Sequence, residues 1–127
     1  MKPFLGAAYL GEGRCRFVVW APLANVVDLR MISPRKCIAR MENIGKGYHR
    51  IVLTNVDPAA HYVYQLHDNR LPESVKERPD PASRSQPRGV HGPSQVVSPD
   101  FEWEDTNWCG LPLSQYIIYE LHVGTFT

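Results

Sequence analysis

An all-β sandwich is the fold class this sequence predicts, and three observations carry it. Through the first two-thirds of the chain, apolar residues recur at period two in short runs. Clusters of Gly, Pro, Asn and Ser punctuate those runs at hairpin spacing, and no stretch shows an apolar stripe at helical period. Alternation of this kind lays one face of each strand on a core and leaves the other in water.

The elements come in this order. Phe4 to Leu10 can add an edge strand. In Arg14 to Trp20, Cys15, Phe17 and Val19 share a face; in Val26 to Ile32, Val27, Leu29 and Met31 do, with Asp28 and Arg30 turned outward. Ser33-Pro34-Arg35 turns the chain into Cys37 to Met41, and Asn43-Ile44-Gly45-Lys46-Gly47 turns it into Tyr48 to Leu53. Asn55 to Ala60 leads into His61 to Leu66, where Tyr62, Tyr64 and Leu66 share a face, and His67-Asp68-Asn69-Arg70 turns back. Phe17, Val19, Val27, Leu29, Tyr62 and Tyr64 are the expected core. Trp20 is expected to cap that core or to contact another domain in preference to stacking on a sugar.

From Leu71 the alternation stops, and seven of the 11 prolines fall between Pro72 and Pro112. Each proline removes a backbone donor and fixes φ, so the stretch reads as an ordered connector, neither helix nor central strand. Its Val90, Val96, Val97, Phe101, Trp103 and Trp108 argue that it packs on something, since disordered linkers lack such groups. Tyr116 to Val123 is nearly all apolar, as a strand buried on both faces would be. The expected division is therefore a sandwich over 1–70, a Pro-rich connector over 71–115, and a lone strand over 116–127. That strand is expected to find a substitute sheet edge, either in its own sandwich or in a second copy through a strand-mediated dimer.

Composition narrows the function. The 127 residues carry 14 Lys and Arg against 13 Asp and Glu, so no basic field invites nucleic acid. The N-terminus lacks a signal-peptide apolar run and nothing is long and apolar enough to span a membrane, so a cytoplasmic location is expected. Cys15, Cys37 and Cys109 form neither a C-x-x-C pair nor a cluster with His at ligand spacing. They are expected to be reduced, with Cys15 and Cys37 acting as small buried hydrophobes, and no metal is expected.

Certain motifs go further. Phe17-Val18-Val19-Trp20-Ala21-Pro22 followed by Asn25-Val26-Val27-Asp28-Leu29 resembles the N-terminal immunoglobulin-like module of the α-amylase superfamily (glycoside hydrolase family thirteen). Asp80-Pro81-Ala82-Ser83-Arg84, with Gln86-Pro87, Gly89-Val90-His91-Gly92-Pro93-Ser94 and Val96-Val97, resembles the signature that comes after this module in the maltooligosyltrehalose trehalohydrolase family. Ile118-Tyr119-Glu120-Leu121-His122-Val123-Gly124-Thr125-Phe126-Thr127 resembles the first strand of that family's (β/α)₈ barrel. A branching enzyme shares the Trp-Ala-Pro corner and is the nearest relative to exclude; the Gly89 to Ser94 block favours the trehalohydrolase.

The resemblance implies an immunoglobulin-like sandwich of the early-set or glycogen-binding-module type, truncated where the missing barrel begins. It implies a parent enzyme that hydrolyses the α-1,4 bond next to the terminal trehalose unit of maltooligosyltrehalose, or acts on another α-glucan, without a cofactor. Glycoside hydrolysis needs two carboxylates flanking the scissile bond, about 5 to 5.5 Å apart in a retaining enzyme. The resemblance places that pair beyond Thr127, so this chain alone is expected to hold no catalytic residue and to have its own catalytic barrel as partner. Glu120, without a second carboxylate nearby in sequence, is expected to be structural. His122, at the C-terminal end of the expected barrel strand, is the candidate for a substrate-side role in the intact enzyme. Asp80, Pro81, Arg84, Gly89, His91 and Gly92 are the signature residues of the connector, with Asp80 and Arg84 expected to fix it through side-chain-to-backbone bonds and an ion pair.

Overall fold

A computed structural model of the chain describes residues 4–67 and 75–126, and among these it forms strands and short 3₁₀ turns with no α-helix. The strands are β1 (Gly6–Gly11), β2 (Arg14–Trp20), β3 (Val26–Ser33), β4 (Cys37–Arg40), β5 (Glu42–Gly45), β6 (Tyr48–Leu53), β7 (His61–His67), β8 (Val75–Arg78) and β9 (Ser94–Gln95). One sheet runs β1-β2-β6-β5 and the other β4-β3-β7-β8, all antiparallel. The chain changes sheet at Ala21–Asn25, at Met41 and through Thr54–Ala60, which stacks the two sheets as a sandwich.

The expected inward faces are the observed ones. Phe17, Val19, Val27, Leu29, Tyr62 and Tyr64 are all buried, joined by Cys15, Met31, Met41, Val56 and Val96 in one core. Phe17 meets the edge of Tyr62 with ring centroids 4.9 Å apart, and Tyr62 meets Tyr64 at 5.8 Å, so an aromatic file bridges the sheets. Each large apolar side chain buried here contributes roughly 1.5 to 3 kcal/mol. Phe17→Ala would remove one end of that file, from within the core, at a cost of about 3 to 5 kcal/mol.

Several expectations are corrected. Cys37 is exposed, because β4 is an edge strand and its residue 37 opens the ladder. Asp28 lies on the outer face as expected but is nevertheless buried, covered by Arg40 (Nε to Oδ1, 2.5 Å) and His67 (Nε2 to Oδ2, 2.8 Å). Burial pushes its carboxyl up, but the hydrogen bonds from Arg40 and His67, with the Arg40 guanidinium charge, outweigh that and hold it below the usual carboxylate range. The second sheet also continues past residue 70: β8 and β9 both pair with the edge of β7 opposite β3, at Tyr64–His67 and at His61–Tyr62 respectively. The prolines flank these two strands without interrupting them, as edge positions allow. All but His67 of the turn expected at 67–70 lies outside the described residues.

The strand expected over Tyr116 to Val123 is absent. Every residue from 99 to 126 is exposed, and Tyr116 to His122 pairs with no strand among the described residues; 3₁₀ turns at Leu113–Gln115 and Val123–Thr125 bound it. Among the described residues, no edge of the chain's own sandwich substitutes for a partner. A segment apolar on both faces needs a covering layer on each, and the sandwich offers at most one. Burial of five such side chains would roughly cancel against the backbone order it requires.

Among the buried polar residues, His49 is the one with no hydrogen bond to its side chain. His49, 1% exposed, points inward from β6 opposite Val19, and neither ring nitrogen makes a hydrogen bond. Burial drives its imidazole below the ordinary value of 6.5, against a weaker pull from the nearby carbonyls of Gly47 and Asn25. Because the unfolded chain takes up this proton first as pH falls, the contribution of His49 is complete above 6.5 and is lost as pH drops toward the lower folded value. Urea midpoints at about pH 7.5 and 5.5 are expected to fall toward acid, and to fall less in His49→Leu, which removes the titrating ring. An unchanged pH slope in that variant would disprove the assignment. Thiol labelling gives a second check. Cys15 is buried with its thiol pushed up to about 12 by burial, whereas Cys37 and Cys109 are exposed. A disulfide reagent is expected to modify two thiols in the native protein, and the third only in denaturant.

Candidate functional site

The Trp20-Ala21-Pro22 corner, where the chain leaves the first sheet, is clamped on the β5–β6 turn. Trp20 Nε1 donates to the Lys46 carbonyl at 3.1 Å and the Ala21 amide to the Gly47 carbonyl at 2.8 Å. Gly47 has φ +81°, and a Cβ there would stand 2.7 Å from Pro22, so only glycine fits. The clamp holds the indole on the outside: Trp20 is 54% exposed and does not cap the core as expected. The reason is the alternation of β2 itself: with Cys15, Phe17 and Val19 turned inward, Trp20 falls with Arg14 and Arg16 on the outer face of the sheet.

Asp80 organises the connector. It is 3% exposed, and its carboxylate receives Tyr62 Oη at 2.6 Å, Tyr64 Oη at 3.1 Å and the Ala82 amide at 2.8 Å. Its own amide donates to Oγ of the buried Ser94 at 2.9 Å, and its carbonyl accepts the Ser83 amide at 3.0 Å. The phenols of Tyr62 and Tyr64 are held well above their usual range by burial first and by the adjacent carboxylate second. Of the bonds expected for Asp80 the side-chain-to-backbone one is present; the ion pair with Arg84 is not. Arg84 instead donates to the Ala7 carbonyl and lies 4.7 Å over the Phe4 ring. It thereby ties the connector to the edge of the opposite sheet, where Gly6 leaves room for the Ala82 carbonyl, 2.9 Å from where a Cβ would stand.

Between this connector and the Trp20 corner lies a groove of about 840 Å³, lined chiefly by Trp20, Pro22, Leu23, Pro79, Pro81 and Val90. Leu23 is 93% exposed at its lip. The other end of the sandwich carries a more polar cleft of about 710 Å³ between the β3–β4 and β6–β7 loops, with Ser33, Arg35, Lys36, Asn55 and Asp57 on its walls.

The signature residues separate into distinct tasks. Asp80 and Pro81 form one wall of the groove. Arg84 secures β1. Gly89, His91 and Gly92 belong to a turn closed by the Gly92 amide on the Gly89 carbonyl at 2.9 Å, in which Gly92 packs against Arg88 and His91 is exposed. His122 is exposed and turns back on Thr125 (Nδ1 to Oγ1, 3.2 Å); Glu120 is exposed beside it. Trp103 stacks edge-on with Phe101 at 4.7 Å and Trp108 stands alone, both in the exposed stretch. Tyr62, Tyr64 and Ser94 as partners of Asp80 were not foreseen. A signal existed in two tyrosines at spacing two on an inward face, whose hydroxyls must find an acceptor when buried.

No protein-family model matches the chain. A malto-oligosyltrehalose trehalohydrolase of Saccharolobus solfataricus is 46% identical over 118 residues, 93% of this chain and 20% of that protein. A 1,4-alpha-glucan branching enzyme of Xanthomonas oryzae pv. oryzae is 30% identical, over 87% of this chain and 16% of its own length. The crystal structure of a putative alpha amylase from Salmonella typhimurium superposes with a TM-score of 0.78 at 33% identity, covering the whole of this chain and 20% of that one. The chain thus spans about a fifth of the length of the relatives it matches, corresponding to their N-terminal region.

Because three donors converge on one buried carboxylate, Asp80→Ala strands two phenols and an amide without water. It is expected to cost about 3 kcal/mol or more, against about 1 kcal/mol for Tyr64→Phe, which removes one donor and leaves the acceptor satisfied. Denaturant unfolding of the two variants measures the difference; equal costs would show that the carboxylate is not the centre of the network.

Proposed function

Since this chain is a homologue of the N-terminal region of malto-oligosyltrehalose trehalohydrolases, we propose that it is the non-catalytic N-terminal module of an α-glucan-processing hydrolase of that kind. The whole enzyme, on this reading, cleaves the α-1,4 bond next to the terminal trehalose unit of maltooligosyltrehalose and releases trehalose. The observation that carries the proposal is identity of 46% across nearly the entire chain, sandwich and connector signature alike.

The side chains support a structural part for the module. Four of its carboxylates are engaged by side chains or a buried amide: Asp28 by Arg40 and His67, Glu42 by Arg50, Glu77 by Arg30 and Gln65, and Asp80 by its three donors. A nucleophile or general acid needs a carboxylate free to meet substrate, with a second one a few ångströms away. Glu120 is exposed, in a segment with no neighbouring layer to hold it against a sugar. The stretch Tyr116 to Phe126 presents Ile117, Ile118, Tyr119 and Val123 to solvent, which is the condition of a barrel strand separated from its neighbours. In the assembled enzyme we place this stretch in the catalytic barrel, with His122 toward the substrate end. The connector, knotted at Asp80, then sets where the barrel begins relative to the sandwich.

The 127-residue chain is expected to release no trehalose from maltooligosyltrehalose above a blank at any pH, while the full-length protein releases it. Sustained turnover by the purified short chain would overturn the non-catalytic assignment. New α-1,6 branches in place of trehalose from the full-length protein would identify it as a branching enzyme instead.

A further inference from the structure

The polar cleft of about 710 Å³ at the end of the sandwich away from the Trp20 corner has no part in the functional reading above, and both of its walls are fixed. On one side, Ser33 Oγ and His61 Nδ1 lie 2.9 Å apart and tie the β3–β4 turn to the start of β7. On the other, the Val56 amide donates to the Gly13 carbonyl at 2.8 Å and pins the β6–β7 loop. Asp57 closes that loop on itself, its Oδ1 accepting the Ala59 amide at 2.8 Å and its carbonyl the Ala60 amide at 3.0 Å. A concave, preformed space of this size is of the order that small molecules occupy.

The lining narrows the class of molecule. Arg35 and Lys36 stand side by side on the turn, both exposed, and neither has a carboxylate within ion-pair distance among the described residues. Asp57 is the single carboxylate in the lining, so two cations face one anion. A guanidinium that can fork across two oxygens beside a compact ammonium suits a phosphate group. The β6–β7 loop supplies a different set: the Thr54 hydroxyl, the Asn55 amide and the second oxygen of Asp57, which can exchange hydrogen bonds with hydroxyls. The Asp57 charge repels a phosphate from that wall, which gives a ligand carrying both kinds of group one orientation. No aromatic ring lines the cleft among the described residues, so it has nothing to stack on a nucleobase or on the face of a glucan ring.

We propose that this cleft binds a small phosphorylated polyol of the hexose phosphate class, with the phosphate on Arg35 and Lys36 and the hydroxyls on Thr54, Asn55 and Asp57. Such a ligand would bridge the β3–β4 turn and the β6–β7 loop and relieve the crowding of two adjacent cations.

Cys37 is exposed in the lining and reports occupancy, with the exposed Cys109 outside the cleft as internal reference. Alkylation of the 127-residue chain by iodoacetamide, an uncharged reagent, is followed at each cysteine by peptide mass at constant ionic strength. Glucose 6-phosphate at about ten times its dissociation constant is expected to slow Cys37 about tenfold, as mass action depletes the empty site, and to leave Cys109 unchanged. Inorganic phosphate is expected to protect only at about tenfold higher concentration, having lost the contacts of the opposite wall, and glucose not at all. The Arg35→Gln/Lys36→Gln double variant is expected to lose the protection while keeping its urea midpoint, since both side chains are exposed. Unprotected Cys37 at about 50 mM ester, far above a millimolar dissociation constant, would overturn the proposal. Protection that persists in the double variant would overturn it too, and equal protection by inorganic phosphate would refute the polyol half of the assignment.

Discussion

A buried aspartate whose carboxylate gathers donors from two parts of the chain, and whose amide donates to a third, is the constraint on which the rest of this structure depends. Asp80 joins two tyrosines of β7, a turn of the connector and, through Ser94, the short strand β9. Without it the hydroxyls of Tyr62 and Tyr64 would be stranded in the core, and the file that links Phe17 to both rings would lose its fixed end. The proline-rich stretch, which has no ladder of its own beyond β8 and β9, is ordered because this knot gives its backbone somewhere to bond.

That order has a mechanical consequence. Arg84 reaches β1 of one sheet while β8 and β9 extend the other, so the connector straps both sheets before the chain leaves the sandwich. The chain therefore departs from a rigid seat, and a domain attached to it inherits a defined starting direction. A flexible linker would have left that direction free. The strap accounts for two of the signature residues by contacts within the chain: Arg84 bonds backbone, and Gly92 packs in a turn.

The outside of the molecule is equally informative. An isolated sandwich has no use for a solvent-facing indole, a leucine at the lip of an apolar groove, or a tail of isoleucines and aromatics in water. These exposures are costs of solubility that make sense when another layer covers them. His49 is the reverse case, a polar ring held in the core without a partner, and it ties the stability of the Trp20 corner to pH through the strand that comes after the Gly47 turn.

The sequence by itself determined the class of fold and the identity of the core, because alternation at period two is a local property: once Phe17 faces inward, Cys15 and Val19 must do so too, and the same holds for Val27 with Leu29 and Tyr62 with Tyr64. Turn chemistry at Ser33-Pro34 and Lys46-Gly47 is likewise written in adjacent residues. Only the tertiary structure decided which strands lie at edges, and hence that Cys37 is exposed. It also decided that the acceptor for two buried phenols lies 16 and 18 residues further along, that Arg84 passes over Asp80 in favour of a carbonyl 77 residues away, and that the Trp20 indole is tied to the Lys46 carbonyl 26 residues away. Tyr116 to Val123 shows the boundary most clearly. Its composition declares that it belongs in an interior, but burial is a relation between surfaces, and the surfaces that would cover it are not among those this chain provides.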